Sequence, residues 1–152
     1  MSSAAMALSG IGKNYNPSSL NQWLKNNGGY VSQDLFVWAS INPLGVKFVG
    51  FINRNAISSN LANDNIVILN VHNGGHWVLA IGMQGSNVVT VNDPGYATAS
   101  YTLDQIVEGS IGLYRVGNGL VDIMIDQLEI ALNVAGRKDR LYQKIRTQLV
   151  TQ

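Results

Sequence analysis

Histidine occurs only twice in this chain, as His72 and His76, and both fall in one stretch, HNGGHWVLAIGMQGSNVVTVNDPGY, residues 72–96. His76 follows Gly74-Gly75 and opens an apolar run, and Asp93 closes the next run in the turn VNDPG. An imidazole hydrogen-bonded to a carboxylate is fixed in one tautomer and made more basic, which prepares it to deprotonate a nucleophile. Other readings stand beside this one. A lone histidine in a strand is more commonly structural, and Asp before Pro-Gly is a common turn former. Zinc bound through His72, His76 and Asp93 is a third reading, but His-x-x-x-His needs a helix to align both rings, and here it spans a Gly-Gly turn. The candidate site residues are His76 and Asp93, with the structural and turn-forming readings still open at this point; His72 is most simply a loop residue, and no metal or other cofactor is expected. The usual partner of such a pair is a cysteine or serine, and the chain has no cysteine.

For the pair to form, its two runs must be neighbouring strands. Alternation from His76 places His76, Val78, Ala80 and Gly82 on one face. Pairing of HWVLAIGM with NVVTVND around Gly85-Ser86 then brings Asp93 beside His76. NIVILNV, VKFVGFI and IGLYRV read as further strands, and the sheet is expected to be antiparallel. YTLDQIVEG offers a capping box, Thr102 with Gln105, and a helical turn. RNAISSNLAND supplies one or two helical turns more. Ahead of the strands, Ser3 to Leu8 reads as a helix of small residues closed by Gly10. In YNPSSLNQWLKNNGG, Asn16 is the N-cap, Pro17 takes the first helical position, and Leu20, Trp23 and Leu24 form the buried stripe. QDLFVWASIN is predicted to be a third helix carrying Leu35, Phe36, Trp38 and Ala39, stopped by Pro43. Helices first and strands afterwards indicate an α+β domain.

The bulk composition agrees with one folded domain and an appendage. The chain has 152 residues, of which 46% are apolar and 12% charged, the latter about half the usual globular share. A net charge of +1 gives no general attraction to nucleic acid, and no nucleic-acid partner is expected. No apolar run approaches the roughly 18 residues of a membrane-spanning helix. MSSAAMALSG has no basic start and does not read as a signal peptide. Gly117-Asn118-Gly119 marks a boundary between a domain over residues 1–117 and an amphipathic helical extension over 118–152. In the extension, Val121, Met124, Leu128, Leu132 and Ala135 recur at helical spacing, and Leu141, Ile145, Gln148 and Leu149 continue a weaker stripe. Asp122, Asp126 and Glu129 make the first helix acidic, while Arg137, Lys138, Arg140, Lys144 and Arg146 make the second basic. Helices of opposite charge with apolar stripes suit a hairpin or a contact with other subunits through residues 120–150. They suit equally a tail folded back on its own domain.

The order of these features, SSAAMAL, NPSSLNQWLKNNGGY, GGHWVLAIG, VNDPGY and a closing GLYRV, resembles the papain-like cysteine peptidases that cleave bacteriocin leaders after a double glycine, together with their stand-alone bacterial and phage relatives. The resemblance covers roughly residues 1 to 116. It implies a papain-like fold, N-terminal helices on an antiparallel sheet, and triad roles for His76 and Asp93. The family's nucleophilic Cys opens the first helix ahead of a Met that matches Met6, which places it two residues upstream of Met1. The family's Gln, which helps form the oxyanion hole, lies further upstream. Ser2 and Ser3 fall about one helical turn past the expected nucleophile. Two functions follow as expectations. One is a peptidase-like domain without its nucleophile, serving as a structural or peptide-binding subunit of an assembly such as a phage tail or virion. The other is a fragment of an active cysteine peptidase or cell-wall amidopeptidase.

Overall fold

The chain begins with two short helices whose sequences explain how each is held. Helix α1, Ser2–Gly10, carries small residues on the side it buries: Ser3, Ala4, Ala5 and Ala7 pack inward with Leu8. Small side chains let its backbone approach the sheet closely. Helix α2, Pro17–Asn26, starts with a reciprocal cap in which Asn16 Oδ1 accepts from the Ser19 amide at 2.9 Å and Ser19 Oγ accepts from the Asn16 amide at 3.0 Å. Leu20 and Leu24 of its stripe are wholly buried. Gly29 follows because nothing larger fits: a Cβ there would lie 2.4 Å from Leu24 Cδ2. These observations come from a computed structural model, which describes residues 1–117 and, beyond them, helical backbone at Met124, Gln127, Leu128, Ile130 and Ala131. The first compact unit is Met1–Val116. The two helices predicted over residues 120–150 otherwise lie outside the described residues.

The third predicted helix does not form. Tyr30–Val31 (β1) instead pairs antiparallel with Leu35–Phe36 (β2), and Trp38–Leu44 continues as a 3-10 helix with Pro43 inside it. Ser32 and Gln33 make the turn with left-handed backbone, φ 53° and 71°. Non-glycine residues rarely adopt that conformation, so the turn carried no glycine signal to mark it. The apolar residues that looked like a helical stripe are buried by another route. Phe36 and Trp38, two apart on extended chain, meet edge to face with ring centroids 5.7 Å apart.

The remaining strands are β3 (Val46–Ile52), β4 (Ile66–Val71), β5 (His76–Gln84), β6 (Val88–Asn92), β7 (Ser100–Thr102) and β8 (Ile111–Val116). With the short helix α3, Ile57–Ala62, they complete an α+β architecture. These six strands form one sheet in the order β3-β8-β4-β5-β6-β7, and every pairing is antiparallel. Strand β4 lies near the centre and is buried along its whole length, which accounts for its unbroken apolar run. Ile66 and Ile68 face α1, α2, Leu79 and Tyr114 on one side of the sheet. Val67, Leu69 and Val71 face Ile57, Val78, Val89 and Val91 on the other. In the β5–β6 hairpin Leu79 pairs with Asn92, and a bulge falls between Ala80 and Gly82. No described helix is long and apolar enough to cross a membrane.

Candidate active site

Alternation carries His76 onto the same face as Val78 and Ala80, and it carries Asp93 past Val89 and Val91 on the neighbouring strand. The register brings the two together: His76 Nε2 and Asp93 Oδ1 are 2.6 Å apart. Asp93 is held by its own turn. Its Oδ1 also accepts from the amides of Gly95 at 2.9 Å and Tyr96 at 3.0 Å, so Asp-Pro-Gly-Tyr closes around the carboxylate. Its Oδ2 accepts from the Tyr101 hydroxyl at 2.7 Å. The Asp93 side chain has no exposed surface.

Burial by itself pushes the Asp93 carboxyl up. The Gly95 amide, His76, the Tyr101 hydroxyl and the Tyr96 amide outweigh it and hold the carboxyl down at about 2. An ionised carboxylate accepts and does not donate, so the proton in the 2.6 Å contact belongs to His76 Nε2. In the neutral ring Nδ1 then carries the lone pair, and it has no hydrogen-bond partner among the described residues. That is the protonation arrangement of an oriented base.

A second arm reaches the same carboxylate. Tyr101 gives its single proton to Asp93, so the 3.3 Å contact between its oxygen and His72 Nε2 requires His72 to be the donor. Burial raises the Tyr101 pKa, and the bond to Asp93 raises it further, so the phenol keeps its proton. His72 is therefore more than the loop residue that its position predicts. It lies in the β4–β5 turn with left-handed backbone, φ 53°, as does Asn73 at φ 55°. This turn brings the His72 ring over His76, with centroids 5.4 Å apart and planes 27° from parallel. Tyr96 stands edge-on to both imidazoles, at 4.8 Å from His72 and 5.0 Å from His76. Tyr96 and Tyr101 were not among the residues picked out by sequence. The spacing of β7 gave no register, and only its pairing of Tyr101 with Val89 brings the phenol to the site.

The His76 ring lines a hollow of about 260 Å³ with Ser2 and Ser3 of α1, Gly75, Trp77 and Gly95. Ser3 ties the first turn of α1 to this wall, its hydroxyl donating to the Trp77 carbonyl at 2.8 Å. Gly95 packs on the imidazole so closely that a Cβ would lie 3.0 Å from His76 Cε1. Ser3's hydroxyl is thus committed elsewhere, and Ser2 lines the hollow without a hydrogen bond to His76. Among the described residues, no group of three or more of His, Cys, Asp and Glu is placed to hold a metal ion. The arrangement can take a proton from a group entering the hollow and stabilise the resulting imidazolium. No protein-family model matches the chain, and searches of curated proteins and of solved structures likewise find no match.

Proposed function

We propose that the chain is a papain-like, peptidase-type domain acting without a nucleophile of its own, as a structural or peptide-binding subunit of a larger assembly. A phage tail or virion is one setting that fits. The observation that carries this reading is the convergence of three parts on one hollow: the first turn of α1, the His76 ring, and the Asp93 turn behind it. The sequence resemblance puts a thiol at the start of that helix, and this chain contains no cysteine. The α+β architecture, helices in front of an antiparallel sheet, supports the same family. A second reading draws on the same convergence. A Cys two residues ahead of Met1, with a Gln further upstream, would complete an active cysteine peptidase or cell-wall amidopeptidase.

Both readings are tested on one scaffold. The chain of 152 residues should hydrolyse no peptide above a His76→Ala control. Adding a Gln-containing segment and a Cys ahead of Met1 should give a thiol that iodoacetamide labels faster than free cysteine. His76→Ala should remove that excess, because a nearby imidazole is what lowers a thiol pKa. A thiol no faster than free cysteine, in a folded protein, refutes the peptidase-type cleft. Turnover by the unextended chain refutes the nucleophile-free reading and transfers attention to Ser2.

A further inference from the structure

A second cavity, of about 320 Å³, shares Ser3 and Trp77 as lining residues with the hollow of His76. Its walls include Tyr30, Phe36, Trp38 and Trp77, and Asp34 stands at the turn of the β1–β2 hairpin that forms one side. The volume is at the lower end of ligand pockets, roughly 300–1,000 Å³, and suits one long side chain. Trp38 meets Phe36 at 65° and Trp77 at 64°, with centroids 5.7 and 5.0 Å apart.

The oxygens around this cavity are mostly committed. The Tyr30 hydroxyl donates to Asn21 Oδ1 at 2.7 Å and the Ser3 hydroxyl to the Trp77 carbonyl. The Asp34 carboxylate is left with no hydrogen-bond or ion-pair partner among the described residues. Aromatic faces attract a cation through their quadrupole, and a free carboxylate at the rim supplies the charge to pair with it.

We propose that this cavity binds a side chain with an apolar stem and a cationic head, of the lysine or arginine type, from a peptide whose backbone crosses the hollow of His76. The assignment deepens the peptide-binding reading and rests on it for the peptide origin of the cation. The apolar stem packs on Phe36 and Trp38, and the head reaches Asp34.

The test uses the full chain and three probes: N-acetyl-lysinamide, N-acetyl-argininamide and the neutral N-acetyl-norleucinamide. Binding is followed by intrinsic fluorescence, since Trp38 and Trp77 line the cavity, and by amide chemical shifts. The cationic probes should bind about fivefold or more tightly than the neutral one, the sum of one cation–π contact and one exposed ion pair. Asp34→Asn should bring the three within about twofold, and Asp34→Glu should restore the preference. Asp34 is exposed at a turn, so these variants keep the fold. Equal binding of all three probes by the parent chain, no binding, or a preference that Asp34→Asn leaves undiminished would each overturn the assignment. A lysine-containing tetrapeptide separates the two layers of the proposal. Perturbation of both Trp38 and His76 signals supports the cavity and the peptide path together. Cationic preference without any response at His76 keeps the cavity and overturns the peptide path.

Discussion

Asp93 is the residue on which the site depends, and its four donors give that dependence a measurable form. Because its folded-state value, about 2, lies below the ordinary 3.8, the ionised form stabilises the fold. That contribution is complete above about pH 4 and is lost as pH falls through about 2. Its size is on the order of 2 kcal/mol. Urea unfolding between pH 5 and 2 should therefore show a fall in stability that Asp93→Asn largely removes. A variant with the same acid limb as the parent would locate the effect in other carboxylates. Tyr101→Phe probes the second arm. It deletes the donor to Oδ2 and leaves His72 Nε2 without its acceptor, at a cost of about 1–3 kcal/mol. Loss of a donor to the charged form also raises the Asp93 pKa, so the acid limb should move to higher pH. Carboxyl carbon shifts followed by NMR would report that movement directly. His76 and Asp93 were legible because each has a local signature, a Gly-Gly turn before a strand and an Asp-Pro-Gly turn after one. Tyr96 rides on the same Asp-Pro-Gly turn, but His72 and Tyr101 have no such signature. They reach the site through two left-handed residues and one strand pairing, and neither feature has a pattern in the sequence.

Elements whose burial follows a simple period were legible, and elements set by unusual backbone were not. The strands β4, β5, β6 and β8 alternate or run apolar as their layers require, and α2 shows its cap and stripe openly. The segment from Gln33 to Asn42 failed as a predicted helix because its apolar residues serve an aromatic cluster centred on Trp38. That ring meets Phe36, Phe48, Phe51, Trp77 and Tyr114 at centroid separations of 5.0 to 5.9 Å. The cluster couples the small hairpin to the sheet, and a glycine makes the coupling possible. At Gly112 of β8 an added Cβ would lie 2.1 Å from the Trp38 ring. Gly112→Ala should therefore displace Trp38, destabilise the domain by about 1–3 kcal/mol, and shift its tryptophan emission. It should also weaken binding in the neighbouring cavity, which Trp38 lines. Unchanged emission and unchanged stability would mean that the indole is not packed on the strand.

At the scale of the whole molecule the question is what the segment after Gly117 serves, since the His76–Asp93 pair and the groups that hold it all lie within residues 1–117. The sequence gives that segment an apolar stripe, acidic residues in its first half and basic residues in its second. Met124 and Ile130, both described, are 60% and 57% exposed in the single chain. Exposed apolar side chains gain on the order of 1.5–3 kcal/mol each when fully covered. Opposite charges on the two halves would set the orientation of a neighbour more than its affinity. The expected outcome is that residues 120–150 dock on another protein chain, which fits the assembly role proposed for the domain. Truncation after Gly119, followed by light scattering and thermal melting, separates the alternatives. A truncated domain that melts cooperatively but has become monomeric makes the segment an assembly element. A truncated domain that keeps the oligomeric state of the parent, with a lowered melting temperature, makes it a tail folded on its own domain. Met124→Asp in the full chain adds an independent check, because one buried charge at a subunit contact should dissociate the assembly while leaving the acid limb of Asp93 where it was.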